Sequence, residues 1–249
     1  MLGAEVIRWF SLTVATLSLG GNAAFAQENA SNPLAAVNNT DLRWQYTSND
    51  GSYRHDLFVD GAYMLMPELK LKYELHYNLT NITGIDEQDF EKVVLKPIYF
   101  PYQTQINKTW GMRAAIGLDF IIEFGNQAKG IGVGADQIGP FLGAAFANTE
   151  TGLTLIPLIQ HFTSVNGPTD INQTALRIIG LKPFADDYWV KLDTRIPYDW
   201  ENDRWPLSAE AQVGMNINES VAIYADGLVG IGDHRPFDAG IGLGLRFKY

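Results

Sequence analysis

His161 and Ser164 are the pair in this chain that most resembles a hydrolytic dyad, in which an imidazole takes the proton of an attacking hydroxyl. They stand three residues apart. In an extended strand that spacing points them to opposite faces, so they could meet only across a bulge or in a loop. The simpler reading is a polar strand end entering a loop. The other histidines, His55, His76 and His234, are scattered, and no HxxxH or HExxH spacing offers metal ligands. Gly130-Ile131-Gly132-Val133-Gly134 has the glycines of a phosphate-cradling loop without its helix or lysine, and reads as a flexible loop or strand bulge. The two sequons, Asn78-Leu79-Thr80 and Asn81-Ile82-Thr83, mark an exposed loop. With no cysteine, the chain has no disulfide, zinc-thiolate site, iron–sulfur cluster or cysteine nucleophile. No catalytic residue, metal or cofactor is assigned.

The charged residues carry a different message, because they recur at every second position. Lys70, Lys72, Glu74 and His76 alternate with Leu69, Leu71, Tyr73, Leu75 and Tyr77. Arg113, Asp119 and Glu123 interleave with Trp110, Ile116, Leu118, Phe120 and Phe124, and Lys191, Asp193 and Arg195 with Val190, Leu192 and Ile196. Glu210 lies opposite Val213, and Asp226 falls in a weaker strand. Asp238 and Arg246 share a face opposite Phe237, Leu243, Leu245, Phe247 and Tyr249. Successive side chains of a strand point to opposite faces, so each segment is a strand with one apolar and one ionic face.

The elements that must position these residues are therefore strands. The strongest are Trp110 to Phe124, Leu69 to Tyr77, Leu207 to Ile217, Tyr188 to Ile196 and Phe237 to Tyr249. Weaker ones are 42–47, 53–65, 90–100, 138–147, 151–162, 173–181 and 221–231, making about twelve, with ten as the alternative count. Turn signals such as Asn49-Asp50-Gly51 separate them. The chain has 249 residues, 46% hydrophobic and only 18% charged, yet no run of about 20 apolar residues that would span a bilayer as a helix. A net charge of −10 argues against a nucleic-acid partner.

At the N-terminus, Arg8 precedes an apolar stretch from Trp9 to Leu19 and the A-x-A site Ala24-Phe25-Ala26, the pattern of a secretory signal peptide over residues 1–26. Residues 27–40 show no period and read as a mobile periplasmic leader, with residues 41–249 forming the barrel.

Which face is out decides the class. The apolar faces carry large rings near strand ends: Tyr73, Tyr77, Trp110, Phe124, Phe237, Phe247 and Tyr249, as in the aromatic girdles of membrane barrels. The ionic faces are rich in glycine (Gly111, Gly117, Gly214, Gly240, Gly242, Gly244), which suits a crowded lumen. The expectation is an all-β fold, a single antiparallel transmembrane β-barrel. Leu71, Leu75, Ile116, Leu118, Phe120, Val213, Leu243 and Leu245 would face lipid. Lys70, Lys72, Glu74, His76, Arg113, Asp119, Glu123, Lys191, Asp193, Arg195, Glu210, Asp226, Asp238 and Arg246 would line the lumen, with Arg54, Asp56 and Asp60. The alternative is a soluble barrel with its apolar parity packed inside. A last strand alternating to an aromatic end resembles the strand that the barrel-assembly machinery of the outer membrane recognises.

The second half resembles a family of outer-membrane barrel transporters related to the protein of the meta-pathway of phenol degradation. The resemblance lies in Leu155-Ile156-Pro157-Leu158-Ile159-Gln160-His161 with Ser164, Asp170-Ile171-Asn172-Gln173, Lys182-Pro183, Asp193 to Pro197, Asp199-Trp200-Glu201-Asn202 and Trp205-Pro206. It implies an outer-membrane barrel that passes or binds small, often hydrophobic organic molecules and carries no catalytic residues. The chain departs from the pattern at Gly214-Met215, where the family often has glycine and lysine. A lipid-modifying outer-membrane hydrolase is the rival reading.

Overall fold

The computed structural model describes residues 28–185 and 187–249; the signal-peptide reading of residues 1–26 lies outside them. Twelve strands follow in chain order: β1 (Asn39–Asn49), β2 (Ser52–Met66), β3 (Leu69–Thr80), β4 (Glu87–Gln105), β5 (Trp110–Glu123), β6 (Asp136–Asn148), β7 (Thr154–Asn166), β8 (Asn172–Phe184), β9 (Tyr188–Asp199), β10 (Leu207–Asn216), β11 (Val221–Ile231) and β12 (Ala239–Lys248). Each is antiparallel to its neighbours, and β1 pairs with β12, so the sheet closes into a barrel with no free edge. Among the described residues the only helical element is a 3₁₀ turn, Gln127–Lys129, and no helix is long and apolar enough to cross a membrane.

The period-two pattern sets the faces. On the outward parity Leu243 is 57% exposed, Leu192 55% and Val213 52%. On the inward parity Asp193 is 1% exposed, Lys70 2% and Arg113 5%. The apolar parity thus lies outside, the reverse of a soluble barrel that packs its greasy face within.

The strand ends divide the barrel in two. The start of β1, the end of β12 and five connections of two to five residues lie at one end, here the terminal end; the β1–β2 turn and the mostly longer connections, the longest between Glu123 and Asp136, lie at the other, the loop end. The Gly130–Gly134 segment belongs to that long loop, where its glycines take positive φ (70, 80 and 78°). Outward rings cluster at both ends. Trp110, Tyr63, Tyr188 and Tyr249 lie toward the terminal end, and Tyr77, Phe124, Trp200 and Trp205 toward the loop end.

Two sequence expectations are corrected here. The segment after residue 27 is not a free leader, since Leu34 and Ala35 are fully buried inside the barrel. Its backbone supplies what the wall needs: Lys70 Nζ donates to the carbonyls of Pro33 (3.2 Å) and Ala35 (2.7 Å), and Arg113 Nη1 to that of Leu34 (3.1 Å). Glu28 pairs with Arg113 at 2.6 Å, and Ser31 bonds Gln212 and Arg246. The segment therefore touches walls on β3, β5, β10 and β12 and crosses the lumen at its terminal end.

The second correction concerns Phe237 and Asp238, which precede β12 rather than belonging to it. The alternation runs beyond the ladder because Asp238 is committed elsewhere: its carboxylate accepts from the Asp50 amide (2.9 Å) and Arg235 (2.5 Å). Asp238 thus ties a loop to the β1–β2 turn instead of lining the lumen wall, and Phe237 folds over the lumen mouth instead of joining a girdle.

The inward glycines have a specific use. Gly117, Gly214 and Gly244 lie directly across from Phe141, Trp189 and Tyr224 in register. A β-carbon at each would stand 2.3, 2.0 and 2.1 Å from the facing ring, so the missing side chain is what admits these aromatics to a narrow interior.

Candidate functional site

The lumen gathers buried charge from strands all round the barrel, and its wall is a set of cross-strand ion pairs. At the terminal end Asp41 and Arg246, opposite each other in register, pair at 2.6 Å, and Asp41 also accepts from the Tyr224 hydroxyl (2.7 Å). In the middle Arg43 pairs with Asp226 (2.9 Å), Lys191 with Glu210 (2.7 Å), Arg177 with Asp193 (2.5 Å) and Lys96 with Asp119 (2.8 Å). Toward the loop end the His76 ring lies between Asp56 (2.9 Å) and Glu74 (3.3 Å), stacked on Phe58, while Lys92 and Arg54 approach Glu91 at 3.3 and 3.8 Å. Uncompensated charge in so narrow a space would be costly, which is why pairing is nearly complete.

Of the residues expected on this face, Lys70, Lys72, Glu74, His76, Arg113, Asp119, Glu123, Lys191, Asp193, Arg195, Glu210, Asp226 and Arg246 all point inward, as do Arg54, Asp56 and Asp60. Asp238 alone does not. Glu123 packs beneath the glycine loop, against Gly125 and Gly132. The expected lipid-facing residues all take the outward parity; Leu75, Ile116 and Phe120 are 40–45% exposed.

Sequence reasoning missed Asp41, Arg43, Glu91, Lys96 and Arg177. A signal existed for two of them: Arg177 stands between Leu176 and Ile178, and Lys96 between Leu95 and Pro97. Asp56, His76 and Glu91 also place a donor atom each within 4.8 Å of one another, a grouping no linear spacing revealed. The adjacent Lys92 and Arg54 occupy the Glu91 side of that cluster, so its charges are met by protein cations.

His161 and Ser164 do not meet. His161 faces outward, its Nδ1 2.9 Å from the Thr174 hydroxyl, which also accepts from Trp200 Nε1. Ser164 accepts from the Ile171 amide.

Above the N-terminal segment the lumen holds a cavity of about 430 Å³, adjoining one of about 340 Å³ at the loop-end mouth. The two share Gln45, Asp56, Arg195 and Glu210. Pro33 and Leu34 form the floor. Val94, Ile98, Phe141, Leu158 and Phe162 line one side, from β4, β6 and β7, and the ionic side chains the rest. The combined space falls in the range of about 300–1,000 Å³ usual for small-molecule sites.

No protein-family profile and no curated protein matches the chain. Solved structures do. The COG4313 outer membrane channel from Pseudomonas putida F1 aligns with a TM-score of 0.63 at 7% identity, covering 86% of this chain and 95% of that one. NanC porin aligns at 0.55 and 12% identity, over 84% and 98%. KdgM porin aligns at 0.54 and 10% identity, over 85% and 99%. At such low identity the likeness establishes the fold: the chain has the barrel architecture of outer-membrane porins and channels.

Proposed function

We propose that this protein is an outer-membrane barrel that admits small organic solutes from its loop end into a narrow lumen, as a channel or a binding barrel. The observation that carries the reading is the combination of an apolar outer wall with a charged cavity that opens at one end and is floored by residues of the chain's own N-terminal segment. The aromatic bands at both barrel ends fit two membrane interfaces, and the longer loops fit the outer surface. Membrane lipid is then the partner of the outer wall, and the last strand, Ala239–Lys248, the segment presented to the barrel-assembly machinery.

The neighbours support the reading as channels and porins. The resemblance to the phenol meta-pathway family points the same way, toward hydrophobic organic solutes. The lipid-hydrolase reading has no support from His161 and Ser164, which face opposite sides of β7.

Planar-bilayer recording with solute-uptake assays in proteoliposomes tests the proposal. Discrete conductance steps or uptake of small organic solutes are expected. Absence of both at high protein load, with the barrel shown to be folded by a heat-dependent gel shift, would overturn the channel form, and absence of solute binding as well would overturn the whole reading.

A further inference from the structure

The lumenal ion pairs leave a remainder. Among the described residues, Lys72 on β3 and Arg195 on β9 make no ion pair and no hydrogen bond, although both line the central cavity. Five strands lie between β3 and β9 on either side of the ring of twelve, so the two side chains approach the cavity from opposite walls. Asp60 is the carboxylate there without an ion pair, one of its oxygens buried with no hydrogen bond, and its charge lies near Lys72 together with those of Glu74, Lys96 and Arg177. Asp56 and Glu74 share the single His76 ring between them. Lys72 and Arg195 are thus the cations of the cavity wall that no carboxylate holds in an ion pair.

On the β4–β8 side of the cavity Ile98, Phe141, Leu158 and Phe162 form an apolar patch among the ion-paired side chains. A neutral sugar would leave the cations unanswered, and an inorganic anion would leave the apolar wall wet. A solute that satisfies both has a carboxylate at one end and an apolar body at the other. Arginine offers a carboxylate a planar two-donor fork and lysine a mobile point charge, so together they can hold the group from two sides.

We propose that Lys72 and Arg195 form a carboxylate-binding subsite in the lumen, and that the solute class is small organic acids whose apolar body lies against Phe141, Leu158 and Phe162. The proposal rests on the reading of the lumen as a solute compartment and names what that compartment prefers.

The test is calorimetric titration of the folded barrel in detergent micelles with benzoate and with benzyl alcohol, probes of similar shape that differ in charge. Benzoate is expected to bind more tightly than benzyl alcohol. In the double variant K72Q/R195Q the benzoate affinity should fall at least tenfold while that for benzyl alcohol stays put, and K72R/R195K should retain benzoate binding. A variant that loses its heat-dependent gel shift is replaced by the single substitutions, each expected to show part of the loss. Equal binding of the two probes, no binding of either, or benzoate binding indifferent to removal of both cations would overturn the proposal. Charge-dependent benzoate binding in a protein that neither conducts nor transports would instead sink the channel reading and leave the subsite standing.

Discussion

The carboxylate of Glu28, in a segment outside every strand, is held 2.6 Å from the guanidinium of Arg113 on the barrel wall. Arg113 also donates to the carbonyl of Leu34, so one side chain fixes the segment at two points. Lys70 grips the same segment from β3, and Arg246 grips it from β12 through Ser31. The terminal end of the lumen is closed by a covalently attached strap held on polar contacts.

Removal of residues 28–36 should therefore raise single-channel conductance severalfold, with the barrel still folded. Arg113→Ala should do part of the same by loosening one anchor. Bilayer recordings of the two variants beside the intact protein check this, and unchanged conductance after the deletion would show that the strap does not limit the path.

Asp41 and Arg246 tie β1 to β12 where the barrel closes, both nearly inaccessible to water. Asp41→Ala would leave a buried guanidinium without its carboxylate, a change that costs about 3–5 kcal/mol in comparable buried pairs. Urea unfolding in lipid vesicles should show the loss, and D41A/R246M should recover much of it by removing the stranded charge.

Gly214 beneath the Trp189 ring gives a steric prediction. Gly214→Ala places a methyl 2.0 Å from the indole, so ring or strand must move; overpacking of this kind costs about 1–3 kcal/mol. The same substitution at Gly227, where a β-carbon would meet nothing within 4 Å, serves as the control and should unfold like the parent.

Much of this architecture was legible in the sequence because a barrel wall repeats every two residues. The runs Leu69–Tyr77 and Trp110–Phe124 announced both strand and orientation. The remainder was illegible for physical reasons. The strap is aperiodic, and its anchors are backbone carbonyls and residues far away in sequence, Ser31 and Arg246 being 215 apart. β4 runs past both expected ends, through Pro97 and Pro101, and register shifts opposite its two neighbours scramble its parity. Phe141, Trp189 and Tyr224 break the rule that rings point outward, and only the glycines across from them permit it. The ionic face could be read from single strands, but the pairing could not. Arg177 meets Asp193, not the Arg195 opposite it, and only the three-dimensional register decides that.

Asp238 supplies a pH dependence at the loop end. The Asp50 amide, and then Arg235, hold its carboxyl below the usual carboxylate range. A depressed folded-state pKa means the tie is fully present above the unfolded value and is lost as pH falls through the folded one. A fluorophore on the β11–β12 loop should therefore report an immobile loop at neutral pH and a mobile one in strong acid. Asp238→Asn should flatten that transition.

The account depends on which parity meets lipid, and spin labelling measures this directly. The chain has no cysteine, so single cysteines can be placed along β12 without background. In proteoliposomes, labels at 241, 243 and 245 should be accessible to oxygen and shielded from a polar nickel chelate, while those at 242 and 246 should show little oxygen access. A profile without that alternation, or with the chelate reaching 243 more readily than 242, would contradict the claim that the outer wall lies in a membrane.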